Sequence, residues 1–224
     1  MFLWDWTLII LLPAVALGIY AQAKVSAAFG KWSRVAARRG LTGADAARYL
    51  LQLAGIYDVR IEPSQGMLSD HYDPRNKVLR LSPEVYSQPS LAAIGVAAHE
   101  AGHAIQHATG YAALGFRNAL VPLAATSNLW VLLFIIGLFF GSPTLQNVAI
   151  LLFSATVLFM LVTLPVEFDA SRRAIRLVEE TGILAADEVP AAREVLNAAA
   201  LTYVAAALMA ILQLVRLLML RRED

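Results

Sequence analysis

The chain has 224 residues, 58% of them hydrophobic, and a mean hydropathy of +0.60, too apolar for an ordinary soluble domain of that length. A formal net charge of +1 gives no basic excess of the kind that nucleic-acid binding needs. The chain has no cysteine, which excludes disulfides, thiolate metal sites and a cysteine nucleophile, so any metal must be held by nitrogen and oxygen.

A bilayer core is spanned by about 20 apolar residues, and four stretches are candidates. The first is LIILLPAVALGIYAQA, residues 8–23. Asp5 precedes it, no basic segment leads it, and Lys24, Lys31, Arg34, Arg38 and Arg39 follow it. That flank pattern predicts a retained anchor rather than a cleaved signal peptide. KVSAAFGKWSRVAARRG (24–40) then reads as an amphipathic helix on the membrane surface, with a solvated juxtamembrane helix as the alternative. LTGADAARYLLQLAG (41–55) reads as a capped helix, with Thr42 and Asp45 as a capping box and Gly55 as the stop. YDVRIEP (57–63) alternates like a strand. GMLSDHYDPRNKVLRLS (66–82) predicts a hairpin that turns at Asp73-Pro74-Arg75-Asn76. Pro89-Ser90 opens a helix that runs to Gly110. Residues 118–166 contain no Asp, Glu, Lys or Arg and can cross twice, turning at GSPTLQ (141–146). Arg117, at the entry, reads as an interfacial anchor. LTYVAAALMAILQLVRLLML (201–220) is the fourth crossing, within which Arg216 must snorkel or face protein.

Within the predicted helix lies AAHEAGHAIQH (97–107), which holds three of the chain's four histidines. Residues four apart share a helix face, so His99 and His103 can aim two imidazole nitrogens at one ion. Glu100 is offset around the helix and can reach a metal-activated water without ligating the metal. This is the HExxH logic of two zinc ligands and one general base. The bland alternative is a pair of half-buried histidines bonded to backbone carbonyls.

A catalytic zinc usually has three protein ligands and an open position. His107 shares the face, but two turns at about 1.5 Å per residue put it some 12 Å from His99 along the axis, too far for one straight helix. His71 is a candidate but sits on the predicted hairpin. Glu167 in LPVEFDASRRA is the better one: it is the first charge after the third crossing and begins a helical stretch at the membrane surface. Asp169 reads as a helix-start acid or a partner for Arg172 or Arg173.

HEAGHAIQH with EFDASRRA, preceded by GMLSDHYDPRNKVLRLS and followed by LNAAALTYVAAAL, resembles the bacterial membrane-bound neutral zinc metallopeptidase family (YugP-like, gluzincin type). More distantly, the chain is similar to the HtpX and Ste24 membrane proteases. The resemblance covers nearly the whole chain. It implies a zinc-dependent endopeptidase with one Zn2+, with His99, His103 and Glu167 as ligands and Glu100 as the base. HtpX-like proteases carry an acid four residues after the glutamate ligand, where it orients a histidine; here that position is Ser171. The orienting bond is then weaker or comes from elsewhere, with Asp169 as a candidate. In gluzincin-like peptidases an edge strand beside the motif helix binds the peptide backbone, and the hairpin is placed to do so. His71 and Tyr72 are then candidates to bind substrate or stabilise the oxyanion, and His107 to stand behind the ligands.

The expected fold is mainly α: a polytopic membrane protein with about four transmembrane helices and a small α+β zincin-like domain, helices plus a β-hairpin, at the cytoplasmic surface. Residues 1–23 form the anchor, 24–117 the catalytic part, 118–166 two crossings, 167–198 helices with the third ligand, and 199–224 the last crossing and tail. Fifteen of the eighteen Lys and Arg lie in 24–117 and 167–193. The positive-inside rule therefore puts these segments in the cytoplasm of a bacterial inner membrane, with Arg221 and Arg222 dissenting. The expected partners are a protein or peptide substrate, the lipid bilayer, and a second copy or a regulatory membrane protein, with no nucleic acid. Two other readings compete. In an intramembrane site-2-type protease the motif would lie within a crossing, but its flanks are polar and the charge-free stretch offers no aspartate. In a zinc-stabilised scaffold that cleaves nothing, Glu100 would have no task.

Overall fold

The computed structural model describes residues 6–66, 69–126 and 129–222. Asp5, the hairpin residues Met67 and Leu68, Ser127 and Asn128 of the charge-free stretch, and the last two residues of the tail lie outside the described residues.

A short 3-10 turn, Trp6–Leu11, leads into α1 (Leu12–Trp32). Pro13 sits in its first turn, where the missing N–H has no helical partner to lose. The helix then continues without a break to Trp32, which corrects the expectation of a separate surface helix over 24–40. A change from apolar to basic side chains does not interrupt backbone hydrogen bonding. The chain leaves the helix only where it finds other partners: Ala37 N–H donates to Pro89 O at 2.7 Å and Leu91 N–H to Val35 O at 3.0 Å.

Helix α2 (Gly43–Leu53) has the predicted capping box. Asp45 N–H donates to Thr42 Oγ1 at 3.2 Å, and Thr42 N–H donates to Asp45 Oδ2 at 3.3 Å. These bonds satisfy two of the donors that a helix start leaves open. Beyond the end of α2 lies Gly55 at φ 72.

The predicted hairpin forms from β2 (His71–Asp73) and β3 (Val78–Leu81), paired antiparallel. The Asp73 carboxylate accepts from the backbone N–H of Arg75 at 3.0 Å and of Asn76 at 3.2 Å. Bonds from Asn76 lower the Asp73 pKa to about 2. The sheet is larger than a hairpin: β1 (Arg60–Pro63) pairs parallel with β3, giving the order β1-β3-β2. A short α3 (Pro83–Ser87) leads to α4 (Leu91–Ala108). Ser90 caps α4 by accepting from Ala93 N–H at 3.2 Å, and Gly110 follows it at φ 65. The remaining helices are α5 (Ala112–Thr126), α6 (Leu129–Phe139), α7 (Pro143–Thr181) and α8 (Val189–Arg222). The GSPTLQ turn is tighter than expected, because α7 already begins at Pro143. Glu167 therefore lies in the middle of a 39-residue helix and not at the start of one; Pro165 does not end it.

The chain divides into two compact units. One comprises Met1–Ala21, Gly115–Pro165 and Leu201–Asp224. Its helices pack through Phe134, Ala149, Ile150, Phe153, Val157, Ala210 and Leu217 and leave Ile9, Ile19, Phe139, Phe140 and Leu151 exposed. An apolar exterior of this kind suits lipid rather than water. Among the described residues, three helices are long and apolar enough to cross a membrane: Trp6–Trp32, Pro143–Thr181 and Val189–Arg221. There are four if Ala112–Ala124 and Leu129–Phe139, bent by 47° from one another, make one span. Arg216 faces protein, donating to Thr7 Oγ1 at 3.0 Å, and Arg117 lies 5.8 Å over the ring of Phe159. The other unit comprises Gln22–Leu114 and Val166–Ala200. Its core joins Leu50 and Leu51 of α2, Leu79 and Leu81 of β3, Ile94, Ala97 and Ala101 of α4, and Ile183 and Leu184 after α7.

Candidate metal centre

The centre is built from two helices of the second unit. On α4, His99 and His103 stand one turn apart, as their spacing requires. Their rings meet edge to face at 4.7 Å between centroids. Glu167 comes from α7. Close approach of the two helices depends on Gly102, whose missing side chain makes room for the α7 backbone: a Cβ there would come within 2.7 Å of Ala170 O.

His99 Nε2 lies 3.2 Å and His103 Nε2 3.5 Å from Glu167 Oε2. One donor atom from each of the three residues lies within 4.8 Å of the others. Two imidazole nitrogens and a carboxylate oxygen suit zinc, among other divalent ions. Glu167 is almost wholly buried, at 2% exposure, and Glu100 and His103 are buried too. A buried carboxylate is stable only with compensating positive charge or hydrogen bonds. Burial opposes charge on His103, but Glu167 and Glu100 outweigh it and raise its pKa. The pocket thus favours positive charge beside its carboxylates, which a bound cation supplies equally.

The second nitrogen of each histidine is also engaged. His99 Nδ1 lies 3.1 Å from Ser171 Oγ, so the position where HtpX-like proteases carry an acid is filled by a hydroxyl that still reaches the ring. His103 Nδ1 lies 3.0 Å from Gln106 Oε1. Gln106 Nε2 donates at 2.8 Å to both Val166 O and Asp169 Oδ2, and Arg173 Nε donates to Asp169 Oδ2 at 2.6 Å. Asp169 therefore acts on a histidine through Gln106 and does not touch one itself.

His71, His107 and Asp169 are not among the three clustered donors. His71 is exposed, with Nδ1 2.8 Å from Ser69 O. His107 pairs instead with Tyr72, whose hydroxyl lies 2.9 Å from its Nδ1. Burial, then the charges of Asp58 and Asp73, raise the Tyr72 pKa and keep the phenol protonated. Helix α4 itself is not among the helices long and apolar enough to cross a membrane in the described residues, which weighs against an intramembrane motif. Sequence reasoning missed Gln106. The available signal was its place three residues after a ligand, on the same helix face.

Residues 7–222 match the family described as "Putative neutral zinc metallopeptidase". Over 210 residues the chain is 47% identical to a protein of Bacillus subtilis (strain 168) named "Putative membrane protease YugP", covering 93% of each chain. No solved structure matches.

Gly102→Ala should push α4 and α7 apart, at a cost of about 1–3 kcal/mol for overpacking. The purified variant should keep its helical circular dichroism but hold zinc at least tenfold more weakly than wild type. Equal zinc affinity would mean that the close approach does not set the donors.

Proposed function

Because the chain belongs to the neutral zinc metallopeptidase family, we propose that it is a membrane-anchored zinc endopeptidase, with His99, His103 and Glu167 as ligands and Glu100 as general base. The observation that carries this reading is the convergence of three donor atoms, from two helices, within 4.8 Å. These three residues would hold the ion, and zinc, when bound, would supply Lewis acidity to the scissile carbonyl and to water.

Glu100 follows the first ligand in sequence and is buried. It takes a proton from the attacking water and delivers it to the leaving nitrogen as the C–N bond breaks. The products are a carboxylic acid and an amine, which exchange a proton to become a carboxylate and an ammonium. His99 and His103 would hold the ion through Nε2, the atoms that face Glu167, while Ser171 and Gln106 engage their other nitrogens. Tyr72, kept protonated and braced by His107, is the donor for the carbonyl oxygen that gains charge. Strand β2 pairs only with β3 among the described residues. Its other edge can take a substrate segment as an added strand. The chain carries apolar helices long enough to cross a membrane, which supports unfolded or membrane-associated proteins as the substrates. The concentration of Lys and Arg in residues 24–117 and 167–193 supports a cytoplasmic site on a bacterial inner membrane, by the positive-inside rule.

Glu100→Gln should keep its zinc and lose at least 100-fold in the rate of cleaving a fluorescently labelled unfolded protein. Equal rates in the two proteins would remove the peptidase reading. Orientation has a separate test, since the chain has no native cysteine. In intact cells an impermeant maleimide should label Thr144→Cys, and should label Ser87→Cys only after permeabilisation. The reverse pattern would place the site outside.

A further inference from the structure

Gln106 is the most deeply buried polar side chain near the centre, at 0% exposure. Every hydrogen-bonding group on its amide has a partner. Its two N–H bonds go to Val166 O and Asp169 Oδ2, each at 2.8 Å. Neither acceptor has a proton to give, because one is a backbone carbonyl and the other a carboxylate paired with Arg173. The amide therefore has one orientation. A flipped amide would set its carbonyl against two acceptors and leave a buried donor pair unmatched. In the orientation present, Gln106 Oε1 faces His103 Nδ1 at 3.0 Å, and an acceptor there requires that Nδ1 carry the proton. The lone pair of neutral His103 is then left on Nε2, the atom that faces Glu167.

We infer that Gln106 is a positioning residue that selects the metal-binding tautomer of His103, and that Asp169 with Arg173 acts through it. This inference rests on the metal reading proposed above. Ser171 cannot play the same part for His99, because a hydroxyl donates as readily as it accepts. The two ligands are thus held differently: one tautomer is dictated by a buried chain of bonds and the other only permitted. Arg173 is held in place in turn, its guanidinium 5.7 Å over the ring of Tyr111.

The test uses the full chain in detergent and Zn2+ as the probe, with affinity read by competition against a chelating dye. Gln106→Met fills the same space and supplies no acceptor. Its zinc Kd should rise 10- to 100-fold, in the range for lost partners of metal-bound histidines. Gln106→Glu should weaken zinc similarly, since it sets a carboxylate against the Asp169 carboxylate and the Val166 carbonyl. Nitrogen-15 NMR of metal-free Gln106→Met should show the His103 proton no longer confined to Nδ1, a change that a simple structural tie between helices would not predict. A Gln106→Met Kd within threefold of wild type would overturn the inference, as would an unchanged His103 tautomer in that variant. Nitrogen-15 NMR of metal-free wild type, at a pH where the ring is neutral, decides the matter even if the variants fail to fold. His103 should carry its proton on Nδ1, and a proton on Nε2 would overturn the assignment. Wild type that bound no zinc would remove the metal reading and this inference together; tight zinc binding in both wild type and Gln106→Met would remove only this inference.

Discussion

The contact between Gly102 and the backbone of Ala170 governs the candidate centre. A histidine pair on one helix can supply only two ligands in a compact site, because the third residue on that face, His107, is too far along the axis. The third ligand must come from another element, and it must come close. With no Cβ at Gly102, the α7 backbone can approach α4 at the turn between His99 and His103. Glu167, one turn earlier on α7, is then carried to 3.2 Å from one imidazole and 3.5 Å from the other. The residues that pack and the residues that ligate belong to the same few turns of helix.

This arrangement would be unstable if the polar groups were only brought together. Glu100, His103, Gln106 and Glu167 are all buried, and buried polar groups need partners. The bonds extend outward in order, from His103 to Gln106, to Asp169 and to Arg173, and the last of these reaches a half-exposed guanidinium. Charge is thus neutralised progressively from the centre to the surface. The surrounding core is rich in alanine: Ala97, Ala98, Ala101 and Ala104 are all buried on α4. Small side chains let helices approach closely enough for short polar side chains to meet.

Much of this was legible from local pattern. The spacing of His99, Glu100 and His103 is a property of one helix, so period alone places them. Glu167 stood out as the first charge after 49 uncharged residues. The capping box at Thr42 and the turn at Asp73 are short-range chemistry, and both formed as expected. What escaped depends on tertiary placement. Gln106 looks like any polar residue near a helix end until α7 is set beside it. The parallel pairing of β1 with β3 joins strands fifteen or more residues apart through no local signal. The continuity of α1 was hidden because a helix passing from lipid-facing to polar surroundings changes its side chains and not its backbone.

The central claim is that α4 and α7 together hold one zinc. Elemental analysis of metal per chain in wild type, Glu167→Ala and His107→Ala, purified in parallel, tests it most directly. The account predicts about one zinc in wild type and in His107→Ala, and a loss confined to Glu167→Ala. Zinc retained without Glu167, or lost without His107, would contradict it.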